Sequence, residues 1–174
     1  LDFVLVSSHC FMGSDPYQED MFQNRDPIAV CRSYLQDLYT CLRRIDPALF
    51  SALAHLDYLA KGFGATYLPD GLFRYAYAPD EMDALMRYAI EHGHCIEINT
   101  SCPQSLCGND APVLGWLKRY HELGGEFVTF GSDAHQVRRF GEGLELAKER
   151  AREAGIRYVA TYTAMQPELH LLGD

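Results

Sequence analysis

Apolar positions along this chain fall into two rhythms that alternate from end to end. Five short runs have the tight spacing of strands: Phe3-Val4-Leu5-Val6, Ser51-Ala52-Leu53-Ala54, Cys95-Ile96-Glu97-Ile98-Asn99, Phe127-Val128-Thr129-Phe130 and Tyr158-Val159-Ala160. Between them the spacing changes to steps of three and four. Cys31, Leu35, Leu38, Leu42 and Ile45 share one helical face, as do Met82, Leu85, Met86, Ala89 and Ile90, and then Val113, Leu114 and Leu117. A charged helix from about 142 to 153 completes the set. Asp26-Pro27 supplies an N-cap and a proline at the first helical position. Asp80 and Asp110 are expected to cap the next two helices, and Gly93, Gly124-Gly125 and Gly155 to end helices. Residues 58–78, rich in Gly, Tyr and Phe, read as a long loop, and the residues after 160 as a short tail.

The order is β-α-β-α-β-α-β-α-β, with no repeat, low-complexity segment or internal linker. Such alternation predicts an α/β fold with a parallel sheet and right-handed crossovers. The polar residues sit in the longer loops after strands and the returning loops are short, as in a (βα) barrel with its site at the strand C-termini. A flavodoxin-like open sheet is the alternative, but no glycine-rich phosphate loop follows the first strand. The whole chain, 1–174, is read as one domain.

Those strand ends carry chemistry. The first ends at Ser7-Ser8-His9, the second at His55-Leu56-Asp57, the third at Glu97 and Asn99, and the fourth at Gly131-Ser132-Asp133-Ala134-His135. Residues two apart on a strand lean the same way, so a strand fraying after Gly131 would point Asp133 and His135 into one pocket. Three histidines and three carboxylates on one rim are ligand types for divalent transition metals. Metals about 4 Å apart polarise a phosphoryl oxygen and generate hydroxide near neutral pH. Cys10 and Cys102 lie near the same rim as further candidates. His92, His94 and His121, near helix ends, and His170 in the tail read as solvated or capping residues.

Composition narrows the partners. With 174 residues, 48% hydrophobic and 22% charged, the chain can bury a sizeable core. Fifteen Lys+Arg against 24 Asp+Glu leave a net charge of −9, which argues against nucleic acid and anionic membrane. No apolar run approaches the ~20 residues a bilayer span needs. Six cysteines without a CxxC pair read as free thiols in a reducing cytoplasm. Leu1 stands one residue before the first strand-like run, which reads as a piece of a longer protein.

Taken in order, Ser8-His9, Ala54-His55-Leu56-Asp57, Glu97-Ile98-Asn99-Thr100-Ser101 and Gly131-Ser132-Asp133-Ala134-His135 resemble the polymerase and histidinol phosphatase (PHP) family, in its histidinol-phosphatase-like branch. The tract Tyr120-His121-Glu122-Leu123-Gly124-Gly125 resembles that branch too. The resemblance implies a distorted seven-stranded, TIM-like (βα) barrel, incomplete here at about five strands and four helices. It implies a metal-dependent phosphomonoester hydrolase of histidine biosynthesis, turning L-histidinol phosphate and water into L-histidinol and phosphate. Divalent ions (Zn, Mn or Fe), up to three, are the expected cofactors, and a small phosphorylated molecule the partner. His9, His55, Asp133 and His135 would be metal ligands, and His135 or Asp57 the proton donor. Glu97, Asn99, Arg138 and Arg139 would face the substrate, and the loop bearing Asp15, Glu19 and Asp20 its cationic amine.

Two departures stand out. The family's opening His-x-His, two further histidines and a bridging glutamate have no counterpart here, so a second chain or an N-terminal segment is expected to complete the barrel. Cys102-Pro103-Gln104 also replaces the glycine and basic residue that usually follow Thr-Ser. The alternatives are a PHP phosphoesterase acting on another substrate, such as a nucleotide, and an inactive, metal-poor module.

Overall fold

The computed structural model describes residues 1–18 and 20–173. Its centre is a six-stranded sheet in the order β1-β2-β3-β4-β5-β6, made of Leu5–Val6, Ala52–Leu53, Cys95–Asn99, Phe127–Gly131, Tyr158–Thr163 and Gln166–Leu171. Neighbours from β1 to β5 run parallel, and β6 returns antiparallel along β5. The register sets Leu5 beside Ala52, Ala52 beside Cys95, Glu97 beside Thr129 and Asn99 beside Gly131. The parallel strands therefore all end on one side of the sheet.

Five α-helices connect or follow the strands: α1 (Pro27–Leu42), α2 (Gly64–Tyr67), α3 (Pro79–Glu91), α4 (Pro112–Glu122) and α5 (Leu144–Glu153). Asp26 caps α1 as its sequence predicts, its carboxylate accepting from the amides of Ile28 and Ala29. α1 turns Val30, Cys31, Tyr34, Leu35, Leu38 and Leu42 inward, and α3 turns Met82, Leu85, Met86 and Ala89 to the same core. Every residue of β3 is buried, including Glu97 and Asn99. No helix among the described residues is long and apolar enough to cross a membrane.

Several expectations are corrected. Asp80 lies inside the first turn of α3, behind Pro79, and Ala78 holds the cap position. Asp110 precedes the cap residue Ala111 and pairs with Arg74 instead. The 58–78 stretch contains α2 and three short 3-10 turns. The supposed tail is β6, all of it exposed, so the count is six strands and five helices among the described residues, against about five and four expected. His94 is buried against Phe50, with 4.2 Å between ring centroids, rather than solvated.

β5 pairs with β4 only through Tyr158 and Val159 before it leads into the hairpin. The hairpin tip, Ala164 and Met165, has two left-handed residues (φ +49° and +66°), as a tight two-residue turn between twisted strands requires. The amide of Ala164 donates to Asp2 Oδ1 (2.9 Å) and that of Met165 to the Asp2 carbonyl (3.0 Å). Tyr162 packs on Phe3 and donates its hydroxyl to the carbonyl of Ser51. The hairpin thus spans the N-terminal ends of the strands, opposite the rim that carries the histidines.

Candidate metal and phosphate site

The rim is assembled by backbone contacts between strand ends. Tyr34, buried on α1, donates its hydroxyl to the carbonyl of Ser8 (2.8 Å) and so fixes the turn that presents His9. The amide of His55, just past β2, donates to Glu97 Oε2 on β3 (3.0 Å). Asn99 Nδ2 donates to the same oxygen (3.2 Å). Glu97 has room for its carboxylate because the neighbouring strand offers Gly131: a Cβ there would stand 1.9 Å from Glu97 Oε1. Burial raises the Glu97 carboxyl, and the two N–H donors oppose that rise.

His9 and His55, 46 residues apart in sequence, bring their Nε2 atoms to 3.2 Å. Tyr58 stacks on both rings, with centroids 4.5 Å from His9 and 5.0 Å from His55, and its hydroxyl donates to Asp15 Oδ1 (2.8 Å). His55 is buried, and its Nδ1 has no partner. Burial first, then the nearby Lys61 charge, push its pKa down to about 4, which keeps the imidazole neutral as a metal ligand requires. Asp57 lies beneath, 3% exposed, with Oδ1 unpartnered, and burial pushes its carboxyl up to about 6.

The residue that ties the rim together is one the sequence reading passed over. Lys61 Nζ donates to Asp133 Oδ2 (2.9 Å) and to Asn99 Oδ1 (3.3 Å) and is only 11% exposed. Burial alone would raise the Asp133 carboxyl, but the hydrogen bond and charge of Lys61 outweigh it and hold the group low. Asn99 Oδ1 also accepts from the amide (3.0 Å) and hydroxyl (2.6 Å) of Ser101. Lys61 is a single lysine in a Gly- and Tyr-rich stretch, with no spacing to mark it.

The rest of the predicted set does not converge. His135, expected to lean inward with Asp133, stands 87% exposed, its Nδ1 against the carbonyl of Asp133 (2.9 Å). The cause is the left-handed backbone at Asp133 (φ +49°), which breaks the strand alternation that would align the two side chains. Arg138 pairs with Gln136 and Arg139 with Glu142 on the following loop. Asp20 is used by the amides of Phe22 and Gln23 and by the hydroxyl of Tyr67, and Asp15 by Tyr58 and the amide of Tyr17. Glu19, counted with them, lies outside the described residues. Cys10 is exposed and Cys102 lies against Gln104. A cavity of about 570 Å³ is bordered by Arg74, Asp110 and Lys118 and by none of the rim histidines.

The donors present fit a metal in part. Two imidazole nitrogens bound to one tetrahedral zinc at about 2.0–2.1 Å each are separated by roughly 3.3 Å, close to the spacing of His9 and His55. The unpartnered oxygen of buried Asp57 is a further sign that a cation belongs nearby. A third donor is missing: among the described residues, no group of three or more His, Cys, Asp or Glu converges closely enough to hold an ion.

The architecture is that of a mostly parallel α/β sheet with imidazoles and carboxylates on the rim where its strands end. The chain is 31% identical over 160 residues to a probable histidinol-phosphatase of Clostridium acetobutylicum, covering 91% of this chain and 60% of the relative. It is 28% identical over 138 residues to a probable histidinol-phosphatase of Thermotoga maritima, covering 79% and 54%. Its fold matches the crystal structure of histidinol phosphate phosphatase from Lactococcus lactis, solved with zinc, L-histidinol and phosphate, at a TM-score of 0.81 and 22% identity. That match covers 96% of this chain and 62% of the other. The chain thus spans less than two thirds of the length of each of these three proteins. No family model matches.

Proposed function

We propose that this protein is a metal-dependent phosphomonoester hydrolase of the PHP type, acting on L-histidinol phosphate to release L-histidinol and phosphate in histidine biosynthesis. The observation that carries the reading is the meeting of His9 and His55 at the strand rim. The names of its relatives, and the zinc, histidinol and phosphate bound by the Lactococcus protein, support it.

His9 and His55 would hold one divalent ion, zinc, manganese or iron, with Asp133, whose charge acts on His55, as the carboxylate to join them. When bound, such an ion supplies an acidified water and neutralises phosphoryl oxygens. Glu97, by fixing the amide of His55, sets where that imidazole stands, and Asn99 holds Lys61. Arg138 and Arg139, on giving up Gln136 and Glu142, would meet the phosphate. Between the two candidate proton donors, exposed His135 is better situated than buried Asp57 to protonate a departing alkoxide. A three-metal cluster needs ligands beyond those described, so we infer that another segment or a second chain completes both the ligand set and a closed barrel in a single domain. The edge of β1, unpaired among the described residues, and the groove of about 190 Å³ beside it, lined by Val6, Leu38, Leu42 and Ile45, suit that addition. The six free thiols suit a cytoplasmic setting.

The competing reading, a metal-poor module without turnover, draws on the lack of a third converging donor. Metal analysis paired with phosphate release from L-histidinol phosphate decides between them. Bound metal with turnover that falls in His9→Ala and His55→Ala supports hydrolysis. Substoichiometric metal and no released phosphate sinks it.

A further inference from the structure

We propose that β6 is a self-association edge, pairing antiparallel with β6 of a second copy of this chain across a two-fold axis at Leu169. Among the described residues β6 pairs with β5 alone, so its other side is free. The amide of Leu172 donates to the carbonyl of Arg157 (2.9 Å), which fixes the alternation along the strand. His170 and Glu168 therefore turn their backbone groups to β5, while Leu171, Leu169 and Pro167 turn theirs outward. Sheets commonly guard such an edge with lysine, a bulge or a very short strand. β6 has six residues, no lysine or arginine, and an unbroken register with β5; Pro167 is its one interruption. Leu169 and Leu171 stand 46% and 68% exposed. Their row continues the face of β5 on which Ala160 is buried and Tyr162 packs against Phe3.

Charge complementarity selects a second copy as the occupant and sets the register. With the axis at Leu169, each Glu168 faces a His170 and each Leu171 a Pro167 of the other copy. The two Leu169 residues exchange amide-to-carbonyl bonds, and each Leu171 amide meets a Pro167 carbonyl; only the return bond from Pro167, which has no N–H, is missing. Moving the axis to Glu168 would set carboxylate against carboxylate, and moving it to His170 imidazole against imidazole. Thr161 Oγ1 lies 2.7 Å from His170 Nε2; with that hydroxyl donating, the ring proton is on Nδ1, free to donate to the facing Glu168. Glu168 has no ion-pair partner among the described residues. The hairpin lies opposite the histidine rim, so the join uses none of the rim residues and does not depend on the hydrolase reading.

Sedimentation velocity of the chain across the micromolar range tests the idea, with circular dichroism to check that each variant is folded. Wild type is expected to show a monomer–dimer equilibrium and nothing larger, because a two-fold join closes on itself. Leu169→Lys should leave only monomer. Glu168→Lys and His170→Glu should each weaken dimerisation by about tenfold, since the axis counts every facing pair twice, and the double exchange should restore it. If Leu169→Lys does not fold, the exchange series decides alone, because both of its positions are exposed. Wild type that stays monomeric, a dimer indifferent to folded Leu169→Lys, or a double exchange no tighter than the single ones overturns the proposal. Species that grow beyond the dimer with concentration overturn it too, because they require an open edge without this register.

Discussion

The carboxylate of Glu97 lies directly over Gly131: a single added carbon on that glycine would approach Oε1 to 1.9 Å and the carboxyl carbon to 2.9 Å. Gly131 does not have a left-handed backbone, so its role is to leave space rather than to make a turn. Gly131→Ala is expected to push Glu97 off the amide of His55 and to cost about 1–3 kcal/mol, as overpacked cores do. Urea unfolding measures it. The cost should shrink in a Glu97→Ala background, where the added methyl has room; an equal cost in both backgrounds would refute the packing argument.

Thr100 ties both ends of the loop that carries Asp133, His135, Arg138 and Arg139. Its amide donates to the carbonyl of Gly131 (2.8 Å) and its hydroxyl to that of Glu142. Between these two points Val137 is 96% and Phe140 86% exposed. A surface loop with its ends held together is ordered by those ends. Thr100→Val keeps the amide contact, loses the hydroxyl contact, and should speed tryptic cleavage after Arg138 and Arg139 several-fold at unchanged global stability. Equal cleavage rates would mean that the hydroxyl does not order the loop.

The tract from Tyr120 to Gly125 builds the fold rather than the chemistry. The buried Tyr120 ring fills the space beside Gly125, where a Cβ would come within 2.3 Å of it, and its hydroxyl donates to the carbonyl of Phe127 (3.1 Å). Tyr120→Ala should cost roughly 3–5 kcal/mol, the range for emptying an aromatic core site. Tyr120→Phe should cost about 1 kcal/mol, one hydrogen bond's net worth. Denaturant midpoints separate the two; a similar cost for both would contradict the filling role.

His94 is a site of acid sensitivity away from the rim. It is buried at the start of β3, its Nε2 has no partner, and burial, followed by the charge of His92, lowers its pKa. The unfolded chain takes up this proton near the ordinary value of 6.5 while the folded protein resists it. Its share of stability is therefore complete above that value and drains away as pH falls through it toward the lowered folded value. His94→Leu should flatten the dependence of the melting temperature on pH between about 7 and 5. Parallel curves for the two proteins would rule the effect out.

The parts of the fold that were legible in the sequence are those in which burial and spacing agree. β3 has alternation and total burial together, and α1 has its cap, its proline and its apolar stripe. β6 was hidden because an exposed edge strand has no inner face to mark, and Pro167 within it reads as an interruption. The rim was half legible. His9, His55, Asp57, Glu97, Asn99 and Asp133 gather because they follow strands that end side by side. His135 escapes through one backbone angle at Asp133, and Lys61 enters through side-chain length, and neither is written in spacing.

The hydrogen bond from Ala164 to Asp2 closes a loop of 162 residues, so it forms only after nearly all of the chain has been laid down. Contacts of such separation come late in folding, since the entropy of drawing distant segments together must be met first. The hairpin under the strands therefore behaves as a clasp fastened last, and the amides of Ala164 and Met165 register whether the far side of the sheet is shut.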